Sequence, residues 1–191
     1  MRLIVGVQHL MRQQNATQPY IRQTRLFDNG KFIVLLQSHE QSRLLMHSTE
    51  IHVDKTFKRT KCQEFEVNGY DPASRRLTTL ARVFMDSEDE WSYCQAFLAM
   101  CDTAEKDEGH LVPFGHLITD ERSLTGTRIK AILVDLHGGQ IRGLDSYFNL
   151  KYPKDEPNYH IRKIVKTCRV HYNRAIKNLL KKSSDTTHEG M

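Results

Sequence analysis

The sequence predicts an α/β fold, in which a group of strands comes first and helices alternate with a further strand. Three β-rich stretches, 51–58, 63–70 and 76–85, are separated by short connections and predict an antiparallel meander. Apolar residues at helical spacing then predict a helix from about residue 87, and an apolar run predicts a strand at 130–135. This order of elements is compatible with more than one α/β arrangement.

The residues before the meander, 1–45, are predicted to form a flanking segment that contains a hairpin. Asp28-Asn29-Gly30 is a typical hairpin turn, and it separates two strand-like stretches, Arg22–Phe27 and Lys31–Leu36. A short amphipathic stretch, His39–Met46, then leads into the first strand of the meander. The hairpin and this stretch are therefore expected to precede the main fold.

The helix after the meander is predicted from its start signal and its apolar stripe. Ser87 followed by Glu90 is a capping-box pattern. Apolar residues then recur at spacings of three and four, namely Trp91, Cys94, Phe97, Leu98 and Cys101. The polar connection 103–128 is expected to hold a short strand at 117–120. A Gly138-Gly139 turn is expected to follow strand 130–135 and to lead into a helix around 140–148.

A final helix is predicted over 161–182, where eight apolar residues form one stripe: Ile161, Ile164, Val165, Cys168, Tyr172, Ala175, Ile176 and Leu179. No acidic residue occurs between Glu156 and Asp185. Two interpretations of the basic face stay open: it is simply solvated, or it contacts DNA phosphates. The residues that would make those contacts are Arg162, Lys166, Arg169, Arg174 and Lys177.

Two hydrophobic runs each end in an aspartate, Ile51-His52-Val53-Asp54 and Ala131-Ile132-Leu133-Val134-Asp135. A carboxylate at the end of a strand stands at the edge of the sheet. If two such strands are neighbours, both carboxylates stay ionised only with a cation between them. Oxygen ligands favour Mg²⁺ or Mn²⁺, and pairs of these ions cut and join phosphodiesters. The alternative is that each aspartate caps a strand or a following helix.

Composition excludes several classes of protein. The 191 residues fit one domain, and no stretch approaches the roughly 20 apolar residues that cross a membrane. No secretion signal is recognised at the start. The four cysteines are scattered, which predicts reduced intracellular thiols rather than a disulfide framework. A net charge of +5 and a pI near 9.0 favour an anionic partner.

The stretch Ile51-His52-Val53-Asp54-Lys55-Thr56-Phe57-Lys58-Arg59 resembles the opening motif of Mutator-like element (MULE) transposases. In that family it forms the first strand of a ribonuclease-H-like core and carries the first catalytic acid. The similarity continues through 64–71, 77–85 and the acidic helix start 86–91. It ends at Cys168-Arg169-Val170-His171 and Arg174, which are similar to the family's C-x-x-H signature. The resemblance covers residues 30–182.

The resemblance implies a partial ribonuclease-H-like transposase core at 46–182, and the polar composition of 183–191 predicts a disordered tail. Asp54 and Asp135 would be the catalytic and metal-binding acids, with Mg²⁺ or Mn²⁺ as cofactor. Asp120, which closes Ile118-Thr119-Asp120, is the alternative to Asp135. Asp135 is preferred because its strand is longer and more apolar, and because 137–144 is similar to the helix start that follows the second acid in one branch of the family. Whichever aspartate is not the acid is expected to be a cap.

The implied function is DNA transposition, by two-metal-ion phosphodiester cleavage and strand transfer, in the nucleus. The family's third acid is a glutamate well downstream of C-x-x-H, and the acids after His171 are Asp185 and Glu189 in the polar tail. The chain alone is therefore expected to be inactive. Two alternatives remain: a domesticated remnant that binds DNA or a protein without cutting, and an unrelated α/β binding domain. Self-association is left open.

Cys168 and His171 mark the family motif without fixing its role. Zinc is not expected, because a tetrahedral structural site needs four ligands and no second pair with this spacing occurs. The other interpretation is a buried cysteine and a hydrogen-bonded histidine packed in the core.

Overall fold

A computed structural model describes residues 2–13, 19–56, 62–71, 74–117, 128–135, 137–167, 172–173 and 176–177. Its elements in chain order are α1 (Arg2–Gln13), β1 (Ile21–Leu26), β2 (Phe32–Leu36), α2 (His39–His47), β3 (Glu50–Thr56), β4 (Gln63–Asp71), β5 (Arg76–Met85), α3 (Glu90–Glu108), a 3₁₀ turn (Gly115–Leu117), β6 (Ala131–Val134), α4 (Gly138–Lys151), α5 (Tyr159–Ile164) and β7 (Val165–Thr167).

The strands form one mixed seven-stranded sheet in the order β1-β2-β5-β4-β3-β6-β7. Strands β3, β4 and β5 are antiparallel neighbours, which confirms the predicted meander. β6 runs parallel to β3, and β7 runs parallel to β6. The predicted hairpin is confirmed as β1–β2, and it extends the same sheet because β2 pairs with β5. The protein is therefore α/β, with both edges of the meander extended.

The core lies between one face of the sheet and helices α3 and α4. Phe65 on β4 is fully buried, and its ring contacts those of Tyr93 and Phe97 on α3, each at a centroid distance of 5.3 Å. Phe97 in turn faces Tyr147 of α4 at 6.0 Å. Edge-to-face contacts of this kind stabilise the fold beyond the effect of burying the large apolar rings. They fix both helices against the middle of the sheet.

The two core helices approach closely at Gly143. A Cβ atom at this position would lie 2.4 Å from the Cβ of Tyr93 and 2.7 Å from the carbonyl oxygen of Glu90. The absent side chain therefore allows the backbone of α4 to contact α3. This contact brings the beginnings of the two helices together beside the ends of β5 and β6.

Helix α3 differs from its prediction at both ends. Asp89, not Ser87, is the N-cap: its side chain accepts a hydrogen bond from the Ser92 backbone N–H, and Ser87 donates its hydroxyl to Asp89. The Asp89 carboxylate accepts from the N3 amide, so the helix begins at Glu90 and its cap lies two residues after the predicted one. The helix continues past residue 103 to Glu108 and ends at Gly109, whose φ of 76° suits a glycine cap.

Three further sequence predictions are corrected. Gly138 and Gly139 are the first residues of α4 rather than a separate turn. The chain at Gly115–Leu117 is a 3₁₀ turn, and the rest of the strand predicted at 117–120 lies outside the described residues. The continuous helix predicted over 161–182 is wrong, because α5 ends at Ile164 and β7 begins at Val165. Val165 pairs with Ile132 at the open edge of β6, and this tertiary pairing outweighs the helical spacing.

Among the helices that the structure describes, none has both the length and the apolar character needed to cross a membrane. Cys62, Cys94 and Cys101 are buried free thiols, and burial raises the pKa of Cys101 to about 12. A thiol of this kind is a packing group rather than a nucleophile.

Candidate functional site

The two strand-ending aspartates lie next to each other. Val53 of β3 pairs with Val134 of β6 in a parallel register. The next residue on each chain is an aspartate, Asp54 within β3 and Asp135 immediately after β6. β3 continues to Thr56, so Asp54 lies within its strand, and the register places it beside Asp135 where β6 ends. Both are half-buried, and the valines before them belong to the core.

Asp54 belongs to a polar face of the sheet. On β4 its cross-strand neighbour is Glu66, and on β5 the neighbour of Glu66 is Arg82. Glu66 accepts hydrogen bonds from the Thr79 hydroxyl at 2.7 Å and from the Arg82 guanidinium at 3.2 Å. Glu64 also lies 3.7 Å from Arg82. Arg82 therefore balances part of the negative charge that Asp54 and Glu66 bring to this face.

Asp135 is held at the beginning of α4. Its backbone N–H donates to the side-chain oxygen of Gln140 at 3.2 Å, and Gln140 is fully buried. The N-cap of α4 is His137, whose side chain makes no capping hydrogen bond. The alternative in which Asp135 is the cap of this helix is therefore wrong. Asp135 instead precedes a helix start, where the backbone dipoles favour a negative charge.

Sequence reasoning missed three side chains beside Asp135: Glu88, Tyr93 and His137. The His137 Nε2 atom lies 3.5 Å from Glu88 Oε2, and the His137 ring lies 5.9 Å from that of Tyr93. Burial raises the pKa of Tyr93 well above its usual value, and the carboxylates of Glu88 and Asp135 raise it further. The Tyr93 hydroxyl is buried without a hydrogen-bond partner among the described residues. In the sequence, Glu88 and His137 belong to the stretches 86–91 and 137–144 that resemble the family. That resemblance assigns neither residue a role.

The donor set suits a hard cation only in part. Asp54 and Asp135 offer carboxylate oxygens, which Mg²⁺ and Mn²⁺ prefer. Within the described part of the chain, however, no group of three or more His, Cys, Asp or Glu side chains is arranged to hold a metal ion. Among the described residues, the two aspartates alone therefore do not form a complete two-ion site.

The remaining predicted site residues divide into two groups. Asp120, Cys168, Arg169, His171 and Arg174 lie outside the described residues. Arg162, Lys166 and Lys177 are described and exposed. Arg162 is already engaged, since it donates to the Glu156 carboxylate and, at 3.1 Å, to the Pro157 carbonyl oxygen. Lys166 lies on β7 and not on a helix as predicted.

Comparison with known proteins adds no assignment. No family model, no curated protein and no solved structure matches the chain. The function must therefore be argued from the residues and their arrangement.

Proposed function

We propose that this chain is a ribonuclease-H-like core of the MULE transposase type, which binds DNA and holds a divalent cation loosely between Asp54 and Asp135. The order of elements supports the fold: a three-stranded meander, a helix, a strand parallel to the first strand, and a further helix. The family-like motifs that fall on described residues lie on β3, β4, β5 and the start of α3.

One observation carries this proposal, the register between β3 and β6. Val53 opposite Val134 aligns two strands that are far apart in the sequence, so that each continues into an aspartate. A chance pair of capping aspartates has no reason to share an edge and a register. A bound Mg²⁺ or Mn²⁺ would supply electrostatic stabilisation of phosphate oxygens and an activated water. In this chain Asp54 and Asp135 would hold it, and Gln140 would orient the backbone at Asp135.

We further propose that the chain alone does not cleave or join DNA. Two carboxylates leave most of the water shell on Mg²⁺, and no third carboxylate joins them within the described ranges. The second candidate is a domesticated remnant that binds DNA or a protein without catalysis. The same incomplete donor set favours it.

Metal-linked stability tests the proposed site. Thermal unfolding of the full chain is measured while Mn²⁺ is added, for the wild type and for Asp54→Asn and Asp135→Asn. We expect Mn²⁺ to raise the Tm of the wild type, because an ion that binds the folded state stabilises it by mass action. Both variants should lose this rise, while the exposed control Asp155→Asn should keep it. The proposal is contradicted if Mn²⁺ does not change the Tm of the wild type, or if it raises the Tm of Asp54→Asn by the same amount.

A nicking assay on supercoiled DNA tests the proposal that the chain alone does not cleave DNA. We expect no cleavage by the wild type with Mg²⁺ or Mn²⁺. Metal-dependent nicking that disappears in Asp54→Asn would show a complete active site and would exclude the non-catalytic remnant.

A further inference from the structure

A second surface lies at the other end of α4, away from the aspartates. Helix α4 has 14 residues, so its last turn lies about 20 Å from its start beside Asp135. After it, the chain turns through residues 152–158 into α5. Helix α5 begins with Tyr159, and two lysine ammonium groups lie over its ring: Lys154 Nζ is 5.8 Å and Lys163 Nζ is 5.9 Å from the centroid.

The base of this surface is rigid. His160, the residue after Tyr159, is fully buried, donates from Nε2 to the Tyr152 carbonyl oxygen at 2.7 Å and stacks on Phe148 at 5.2 Å. The His160 ring also meets the Tyr159 ring edge-on at 5.2 Å. These contacts hold the Tyr159 backbone and one edge of its ring. The half-buried Tyr159 therefore presents an aromatic surface that needs little ordering before it binds a ligand.

An apolar cavity of about 440 Å³ adjoins Tyr159, because Lys154 lines the cavity and also contacts the tyrosine ring. Its other walls include Phe114, Tyr152 and Pro153, and Leu111 stands at it with 60% of its surface exposed. Flat aromatic and proline surfaces next to a cation suit a planar, apolar group that carries a negative charge beside it. A nucleobase with its phosphate has this chemistry.

The charges near this surface favour an anion. Lys154 and Lys163 are exposed, and Lys166 follows on β7. Three acids are nearby, Asp155, Glu156 and Glu105, but Glu156 is bound to Arg162 and Glu105 is bound to Lys151. The remaining cations outnumber Asp155, so the surface attracts a phosphate backbone.

We propose that Tyr159, Lys154 and Lys163, together with the cavity beside Lys154, form a binding site for unpaired nucleotides of single-stranded nucleic acid. One base takes the place of an exposed lysine side chain over the Tyr159 ring, the displaced ammonium group binds its phosphate, and a neighbouring base enters the cavity. Bases within a duplex are stacked on one another and do not expose the faces that this site requires. The site goes beyond the proposed function, since it does not use Asp54 or Asp135.

Fluorescence anisotropy with a labelled oligothymidylate tests this site on the full chain. Tyr159→Ala should weaken binding about tenfold, because one base–aromatic stack contributes roughly 1–3 kcal/mol, while Tyr159→Phe should stay within about twofold of the wild type. Lys154→Gln should weaken binding and reduce its salt dependence. Leu111→Glu, which places a carboxylate at the cavity, should also weaken it. Tyr20→Ala, an exposed tyrosine beside the opposite edge strand, is the matched control and should have no effect.

Several outcomes would overturn the site. The first is that Tyr159→Ala binds the oligothymidylate as tightly as the wild type does. The second is that Tyr159→Phe binds it as weakly as Tyr159→Ala. The third is that Tyr159→Ala weakens binding of duplex DNA as much as binding of the oligothymidylate. Binding of polyglutamate as tight as that of the oligonucleotide would assign the surface to acidic protein segments instead. Thermal unfolding of each variant checks that it is folded. Since the Mn²⁺ experiment uses other residues, either proposal can fail while the other stands.

Discussion

Asp54 and Asp135 are neighbours because each directly follows one of the paired valines, Val53 of β3 and Val134 of β6. Without a cation the two carboxylates repel each other, and the cross-strand neighbour Glu66 adds to the negative charge near Asp54. The arrangement therefore costs stability in the absence of metal. Costs of this kind are typical of functional sites.

Replacing one of the two carboxylates should stabilise the metal-free protein. We expect Asp54→Asn to raise the free energy of unfolding in EDTA by about 1 kcal/mol, since one repulsive pair at a half-exposed position is removed. Urea unfolding at neutral pH measures the change, and Asp155→Asn is the exposed control. If Asp54→Asn destabilises the metal-free protein, Asp54 has a structural partner and the repulsion argument is wrong.

The sequence predicted the elements whose signals are local. The hairpin follows from Asp28-Asn29-Gly30, and Gly30 adopts the positive φ of 79° that such a turn requires. The meander follows from short connections, whereas α2 was predicted only as an amphipathic stretch, and the capping box of Ser38 and Gln41 that starts it was missed. The alignment of Asp54 with Asp135 was expected from two strands that each end in an acid.

What the sequence did not predict depends on contacts between distant residues. Val165 has the spacing of an apolar helix residue, but in the structure it pairs with the edge of β6. The local sequence contains no signal for this pairing. Likewise, Glu88 and His137 are about 50 positions apart in the chain, and only the packing of α3 against α4 through Gly143 brings them together. Single-sequence patterns carry little information about such pairings.

A buried ion pair joins the N-terminal hairpin to α3. Asp107 accepts two hydrogen bonds from the Arg22 guanidinium at 2.6 and 2.8 Å and one from the Ser42 hydroxyl at 2.6 Å. Burial alone would raise the pKa of Asp107, but the bonds from Arg22 and Ser42 outweigh it and lower the pKa. The charged carboxylate is therefore the stable form in the folded protein.

Asp107→Asn should destabilise the protein by about 3 kcal/mol, because it leaves the buried Arg22 charge without its partner. Urea unfolding measures the loss. The matched control is Glu40→Gln, which removes an exposed pair with Arg43 and should cause no measurable change. An Asp107→Asn variant as stable as the wild type would show that the hairpin is held by packing alone.

Binding to duplex DNA should depend more on Lys166 than on Arg162. Lys166→Gln should reduce the slope of log affinity against log salt by about 1, because one phosphate contact is lost. Arg162→Gln should reduce it less, since Glu156 already neutralises Arg162. Glu156→Gln should increase the slope by freeing Arg162. Anisotropy titrations across a range of KCl concentrations measure all three, and equal slopes in every variant would show that this face is only solvated.

A pair of histidines, the buried His160 and the half-buried His116, should make stability depend on pH. His160 uses its Nε2–H for the Tyr152 carbonyl, so its Nδ1 accepts from the Nε2–H of His116 at 2.9 Å. The Nδ1 atom of His116 is then an unprotonated acceptor, and it is buried without a partner among the described residues. Burial, with a smaller contribution from His160, lowers the pKa of His116 from 6.5 to about 4. Asp145 is the acidic group that acts on His160 from α4.

Between pH 6.5 and about 4 the unfolded chain therefore binds a proton at residue 116 that the folded chain does not. The stabilisation is complete above pH 6.5 and is lost as the pH falls through this window. We expect the free energy of unfolding of the wild type to fall from about pH 7 to about pH 5 more steeply than that of His116→Gln, whose side chain does not titrate. The exposed His47→Gln should follow the wild type. Parallel profiles for the wild type and His116→Gln would show that His116 is protonated in the folded state, and that the tautomers assigned to the pair are wrong.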